Sequence, residues 1–299
     1  MTQYHNPVLR QEVIEGLRIN PEGIYVDATF GGGGHSRDIL EKLNHKGRLF
    51  GFDQDADAYK NRIQDHRCEF VASNFTNVSK YLKYYKIRLV DGILADLGVS
   101  SHQFDKGSRG FSTRKKSRLD MRMNQKQKLD AYYVLNRYNE IEISKILHKY
   151  GELKNAKKIA KKIVLSRFEK NIETTSDLIE IVRPLVPKRI ENKMFAMLFQ
   201  AIRIEVNNEI DALKSFLKQA EKLLKSKGRL VCISYHSLED RCVKRFIKSG
   251  NFEGEEKRDF YGNSIKPLEK IGKLIIPSEE ELIANSRARS AKLRIAQKR

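Results

Sequence analysis

The sequence predicts an α/β protein: a doubly wound, largely parallel sheet whose chain is interrupted by a helical insertion. Three observations carry that prediction. Residues 24–97 hold four short apolar runs separated by helix-length segments, the alternation that builds a parallel sheet covered on both faces. The first run ends in four consecutive glycines, Gly31 to Gly34, and the second ends at Asp53, so both carry their special residues at the carboxyl edge where such sheets bind ligands. Residues 129–188 show only helical patterning, and a strand pattern resumes at Arg229.

Taken in order, 24–29 is a buried strand feeding a helix over 36–43. A second strand, 48–52, leads to a helix over 55–63. A third, 68–72, precedes a helix over 76–85, and 90–97 is the fourth strand. From 98 to about 119 the chain is rich in glycine, serine and basic residues and loses periodicity. Thr174, Thr175, Ser176 and Asp177 form a helix start, and Pro184 and Pro187 punctuate that helix's end. A long amphipathic helix is predicted over 192–225, with Gly228 as its stop. Strand 229–235 then feeds a helix over 237–247. The stretch after Gly250 reads as charged and irregular until Arg287, and the alternation around Leu293 and Ile295 allows one late strand. The predicted division is a sheet domain of residues 1–104 and 192–299, with a helical domain of residues 105–191 inserted into it.

The 299 residues suffice for a large core without disulfide staples. Three cysteines, Cys68, Cys232 and Cys242, include no Cys-x-x-Cys pair. A reducing compartment and no structural metal are expected. No run approaches the roughly 18 apolar residues of a membrane span, and the start of the chain lacks signal-peptide character, so the expectation is a cytoplasmic protein. The net charge of +20, from 58 basic and 38 acidic side chains, points to a polyanionic partner.

Strand one ends Asp27-Ala28-Thr29-Phe30-Gly31-Gly32-Gly33-Gly34-His35. A glycine turn there lets a ligand approach the backbone, and Asp53 is placed to accept the ribose hydroxyls of a nucleoside cofactor. Both features suit dinucleotides and S-adenosylmethionine alike. Strand four ends Ala95-Asp96-Leu97-Gly98, and a carboxylate beside the cofactor's reactive end suits a sulfonium cation.

These motifs, in order, resemble one family. The glycine segment through Ser36 is followed by Asp-Leu-Gly-Val-Ser-Ser-x-Gln-Phe-Asp from Asp96, Arg109-Gly110-Phe111-Ser112 and Leu119-Asp120-Met121-Arg122-Met123. Then come Tyr150-Gly151-Glu152, Phe199-Gln200-Ala201-Ile202-Arg203-Ile204, His236-Ser237-Leu238-Glu239-Asp240-Arg241, and a segment from Arg287 to Arg294; His5-Asn6-Pro7-Val8-Leu9 extends the match to the start. The chain is identified as a member of the ribosomal small-subunit RNA (cytosine-N4)-methyltransferases, the RsmH/MraW family. The resemblance implies a class I (Rossmann-like) methyltransferase core with an inserted helical, RNA-contacting domain and S-adenosylmethionine as cofactor. It implies small-subunit ribosomal RNA or the small ribosomal subunit as partner, and methylation of the exocyclic N4 of a cytidine near the decoding region. By motif position, cofactor contacts fall to Gly33, Gly34, His35, Asp53, Phe75, Asp96 and Gln103, with Asp96 also the catalytic candidate; neither metal nor membrane is implied. One segment departs from the family. Where relatives usually read His-Pro-Ala-Thr-Arg-Thr before Phe199, this chain has Lys193-Met194-Phe195-Ala196-Met197-Leu198; if that histidine or arginine touches RNA in relatives, the contact is replaced here.

Other features admit plain structural readings. Ser237 and Asp240 fit a helix capping box, and His236, just before it, faces the substrate side of the sheet. Gln200, Arg203 and Asn207 share a helix face that is solvated or functional. Residues 106–128 hold nine Lys or Arg against one acid, and residues 154–170 hold seven against one; Lys157, Lys158, Lys161 and Lys162 fall on one side of a helix. Two one-signed runs form a candidate phosphate-binding surface. Two rivals stand beside this reading. A DNA amino-methyltransferase would carry a Pro-Pro-aromatic segment after strand four, which is absent here. A binding protein for ribosome assembly that had lost catalysis would not need the glycine turn together with Asp53 and Asp96.

Overall fold

The computed structural model describes residues 7–100, 103–104, 106–256 and 258–299. Of the motif residues above, His5, Asn6, Ser101, His102 and Asp105 lie outside them. The chain divides into two compact units, Met1–Gly98 with Ile210–Arg299, and Val99–Glu209.

The first unit is a seven-stranded sheet. After α1 (Arg10–Leu17) come β1 (Ile24–Asp27), α2 (Gly34–Lys42), β2 (Arg48–Asp53), β3 (Cys68–Ala72), α3 (Val78–Tyr84) and β4 (Val90–Asp96). The strand order is β3-β2-β1-β4-β5-β7-β6, where β5 is Leu224–Ser234, β6 Leu268–Ile275 and β7 Lys292–Lys298. β1 to β5 pair in parallel, and β7 runs antiparallel between β5 and β6. Successive residues of the central strands enter different cores. Val26, Phe50, Phe52, Ile93 and Leu230 join one with Phe216, Leu217 and Phe246, while Tyr25, Leu49, Leu94 and Val231 join the other with Leu17, Ile39 and Leu40. Burial on both faces is why these strands read as unbroken apolar runs rather than as alternation.

The second unit carries α4 (Ala131–Arg137), α5 (Glu140–Lys149), α6 (Ala156–Glu169), α7 (Thr175–Val182) and α8 (Glu191–Asn207). Thr174 caps α7 in a reciprocal capping box with Asp177, and Asn139 caps α5 in one with Glu142. The glycine- and basic-rich stretch before α4 is tied down from within. Arg109, 1% exposed, donates to the carbonyls of Arg122 and Met123 at 2.8 and 3.2 Å. Asn207 accepts from the Met123 amide at 2.7 Å and donates to the Met121 carbonyl at 2.8 Å.

Several elements differ from expectation. The predicted helix over 55–63 is a 3₁₀ turn, Ala56–Asn61, whose cap is the Asp55 carboxylate accepting from the Asp57 amide. The long helix over 192–225 breaks at Asn208, whose φ of 49° is left-handed. It ends α8, and α9 (Glu209–Leu223) begins beyond it; asparagine tolerates this conformation better than most residues do. The segment read as irregular contains β6 and α11 (Glu279–Ala284). β6 alternates too weakly to announce itself, because it is an outer strand with only Leu268 buried. The Cys232 and Cys242 side chains are buried and pack in the same core. Among the described residues, no helix is long and apolar enough to cross a membrane.

Candidate active site

The turn between β1 and α2 is fastened to the strand on either side of β1. Asp53, ending β2, accepts the Gly31 amide at 2.8 Å, and Thr29 accepts the Asp96 amide, at the end of β4, at 2.7 Å. Asp27 binds the turn to the helix that follows. One of its carboxylate oxygens accepts the Thr29 amide at 3.1 Å, the other the Ser36 hydroxyl at 2.7 Å. The backbone requires glycine at two of the four positions, since Gly31 and Gly33 have φ of 50° and 74°. A Cβ on Gly33 would meet the Phe30 ring at 2.9 Å, and one on Gly34 would meet the Pro7 ring at 2.9 Å. The result is a preformed concave backbone surface at the start of α2, where unpaired amides favour polar or anionic groups.

Asp53 accepts a second amide, from Asp55, at 2.8 Å. Burial pushes its carboxyl up to about 6 although both amides pull it down. Each oxygen keeps a further lone pair for a hydroxyl. His35 sits in the first turn of α2 and is buried. Neither of its nitrogens has a hydrogen-bond partner among the described residues. Burial lowers its pKa to about 4, so the imidazole is neutral near pH 7, and its 3.8 Å approach to Asp96 is not an ion pair. A buried ring with two unsatisfied nitrogens beside a glycine cradle is what a polar ligand would complete, so these residues fit a nucleoside cofactor.

Asp96 is the centre of the site. Tyr235, directly after β5, donates its hydroxyl to Asp96 Oδ1 at 2.8 Å. Burial pushes the Asp96 carboxyl up to about 7, against the pull of that hydrogen bond. The same pairing and burial hold the Tyr235 phenol well above its ordinary value. Asp96 therefore changes charge near neutrality, with Oδ1 engaged and Oδ2 turned toward neutral His35.

Tyr235 is not among the residues the sequence singles out; its place just past an apolar strand, beside His236, is the one local signal for it. Asp27 and Thr29 lie within the glycine motif, and only their contacts in the fold reveal that they fasten the turn. Phe75 begins a 3₁₀ turn after β3 and is half-buried; its ring packs on Phe216, centroids 5.1 Å apart, which leaves part of it for a ligand. Gln103 belongs to the second unit, where its side chain accepts the Ser100 amide at 3.0 Å.

Two helix features differ from their sequence expectation. The helix Ser237–Ser249, α10, is capped by His236 and not by Ser237: His236 Nδ1 accepts the Glu239 amide at 3.4 Å. Its Nε2 lies 3.1 Å from Glu239 Oε1 but makes no hydrogen bond among the described residues, so only Nδ1 is engaged by the helix start. Asp240 pairs instead with Arg294, at 2.7 and 3.1 Å. The face shared by Gln200, Arg203 and Asn207 is structural. Gln200 donates to the Tyr150 carbonyl at 2.9 Å, and Arg203 grips Glu209 through two bonds of 2.8 and 2.9 Å.

The basic runs also differ from each other. In the first, Arg109 is interior, Arg118 pairs with Asp130 and Arg122 with Asp120. In the second, Lys157, Lys158, Lys161 and Lys162 are exposed opposite buried Ile159, Ala160 and Ile163. None of the four has an ion pair among the described residues.

A sheet of order 3-2-1-4-5-7-6 whose last strand in sequence, β7, is antiparallel, with a glycine turn after β1 and acids ending β2 and β4, defines a class I S-adenosylmethionine-dependent methyltransferase. The chain belongs to the MraW methylase family, whose model matches residues 2–299. A relative from Christiangramia forsetii named ribosomal RNA small subunit methyltransferase H is 54% identical over 298 residues, covering 100% of this chain and 99% of its own. Another of that name, from Flavobacterium johnsoniae, is 55% identical over 296 residues, covering 99% and 98%. Among solved structures, a putative rRNA-methylase from Clostridium thermocellum aligns over 100% of both chains at 13% identity with a TM-score of 0.46, a loose likeness.

Proposed function

We propose that this methyltransferase modifies small-subunit ribosomal RNA at the exocyclic N4 of a cytidine near the decoding region, acting in the cytoplasm. The curated relatives carry small-subunit ribosomal RNA in their names. The observation that carries the choice of an amino nitrogen is the Asp96 carboxylate, poised near pH 7 with one oxygen spoken for by Tyr235.

Gly33, Gly34, His35, Asp53, Phe75 and Asp96, all of the first unit, are the residues that would hold the cofactor. S-adenosylmethionine, when bound, supplies an electrophilic methyl group on a sulfonium centre. The lone pair of a cytosine amino group is delocalised into the ring, so the nitrogen is a weak nucleophile that must be oriented and shielded from water. Asp96 Oδ2 accepts an amino hydrogen, concentrates electron density on nitrogen and takes the proton released as the nitrogen is alkylated. Tyr235 holds that carboxylate in one orientation. The base must be unpaired or drawn from its stack to reach the site.

A carbon-directed reading, in which a cysteine thiolate adds to the pyrimidine ring, is disfavoured by the cysteines themselves. Burial pushes the Cys68, Cys232 and Cys242 thiols up to about 12, where a thiolate does not form near neutrality.

The lysine face of α6 (Lys157, Lys158, Lys161 and Lys162) gives the helical unit its RNA-contacting role in this reading. Mass spectrometry of ribosomal RNA from a strain lacking the protein tests the proposal. One N4-methylated cytidine should disappear; an unchanged methylation pattern refutes it.

A further inference from the structure

Beyond the lysine face of α6, the first unit carries a second basic surface, built by α10, β6 and β7. Lys244, Lys248, Lys266, Lys270 and Lys273 surround a cavity of about 300 Å³ floored by three isoleucines, and no acid lines it. Its one arginine, Arg294, is already neutralised by Asp240, and Lys248 leans on Glu256 at 3.1 Å. Lys244, Lys270 and Lys273 have no ion pair among the described residues.

The strand geometry sets this grouping. Residues 270 and 273 of a regular strand would point to opposite faces. The register of β6 against β7 shifts between Ile271 and Ile275, and Gly272 takes a φ of 66° with nothing within 4 Å of a Cβ placed there. The bulge turns both lysines into one groove.

A hairpin with an aromatic tip adjoins the groove in the chain. Arg258 and Ser264 bridge antiparallel. The Asp259 carboxylate accepts the amides of Tyr261 at 2.9 Å and Asn263 at 2.8 Å, closing the turn on itself. At its tip Phe260 is 96% exposed and Tyr261 86%, with ring centroids 5.6 Å apart. Two connections run from hairpin to groove. Glu256 bridges Arg258 and Lys248, at 3.5 and 3.1 Å, and Lys266 follows the hairpin by two residues.

Two large aromatic rings held in water by a self-bonded turn, next to unpaired ammonium groups, match the chemistry of a single-stranded nucleic acid. Bases stack on the rings while phosphates meet the lysines. We infer that the groove of Lys266, Lys270 and Lys273 and the Phe260–Tyr261 tip form a docking surface for an unpaired strand of the substrate RNA, separate from the methyl-transfer site. The inference rests on the RNA reading of the function.

The test uses two variants of the full chain. One is Phe260→Ala with Tyr261→Ala; the other is Lys266→Ala, Lys270→Ala and Lys273→Ala. Methyl transfer to unmethylated small ribosomal subunits gives KM and kcat, and fluorescence anisotropy with a single-stranded RNA oligonucleotide reads the surface without turnover. The aromatic variant should raise KM for subunits and Kd for the oligonucleotide roughly tenfold, the scale of losing one stacked base. Its kcat and cofactor affinity should stay unchanged. The lysine variant should reduce the log–log salt slope of oligonucleotide binding by about 2, at roughly 0.7 per phosphate contact. Unchanged KM, Kd and slope in both variants overturn the inference. So does loss of binding to vesicles of anionic phospholipid with RNA binding intact, which would make this a membrane-facing surface. If the wild-type protein transfers no methyl to subunits, the proposed function fails, and the oligonucleotide measurement still decides the docking surface.

Discussion

Replacing Tyr235 with phenylalanine should move the pH dependence of methyl transfer without dismantling the site. The phenol donates to Asp96 Oδ1 at 2.8 Å, and burial has already carried that carboxyl to about 7. A hydrogen bond to a charged acceptor contributes about 1.5–3 kcal/mol, and 1.36 kcal/mol corresponds to one pKa unit. Losing it should raise the Asp96 pKa by about one to two units. The proposed chemistry needs the carboxylate, so the wild-type rate should rise with pH through about 7. In Tyr235→Phe the same rise should occur one to two units higher. At pH 7 the variant should be slower by about five- to fifty-fold, the change in ionised fraction that such a shift produces, and it should recover toward wild type as pH increases. The assay is kcat/KM for unmethylated small subunits between pH 6 and 9, which reports ionisations in the free enzyme. A variant whose limb stays at the wild-type pH with only a lower plateau would show that Tyr235 does not govern Asp96. A flat wild-type profile would remove Asp96 ionisation from the reaction.

Four further outcomes follow from the same site and surface. Asp53→Ala should weaken S-adenosylmethionine binding by about 1.5–3 kcal/mol with no gain in NAD binding; calorimetry reads this, and unchanged affinity removes Asp53 from the cofactor site. Asp96→Asn should leave cofactor affinity nearly unchanged and slow single-turnover transfer about 10²-fold; weaker binding with a normal rate would make the charge a cofactor ligand only. The same variant should be more stable than wild type as pH rises. The folded state holds the Asp96 proton up to about 7 while the unfolded carboxyl releases it near 3.8, so the wild type loses stability through that window. Calorimetric melting at pH 4.5 and 8 should show the variant's advantage widening, and a narrowing gap contradicts the raised pKa. Replacing Lys157, Lys158, Lys161 and Lys162 with alanine should flatten the salt slope of RNA binding by up to about 3 and spare cofactor affinity; an unchanged slope leaves α6 with a merely solvated face.

The parallel half of the sheet was legible because each of its strands is buried on both faces, so hydrophobicity alone marks Ile24–Asp27, Arg48–Asp53 and Val90–Asp96. The glycine turn and its acids were equally plain, since their spacing is set by strand length. What escaped was information carried by contacts across the sheet. Tyr235 matters because β5 lies beside β4, which no local window shows. β6 hid because an outer strand with one buried residue has no pattern to display. Asn208 split one amphipathic period into two helices, a conformational choice that periodicity does not encode. The His236 cap was misplaced by one residue because serine is the commoner cap, whereas here the imidazole does the accepting.

The bulge in β6 has a consequence for solubility as well. β6 is the last strand in the sheet order, so among the described residues no strand pairs with its outer row of amides and carbonyls. A flat, apolar outer strand would add to a second copy edge to edge and seed aggregation. Here the register break and left-handed Gly272 interrupt the row, while Lys270 and Lys273 place like charges where a second β6 would have to approach. Stripping those lysines should therefore raise the tendency to self-associate at low salt, and restoring a regular strand by deleting the bulge residues should raise it further. The irregularity and like charges of this outer strand oppose its edge-to-edge addition to another copy.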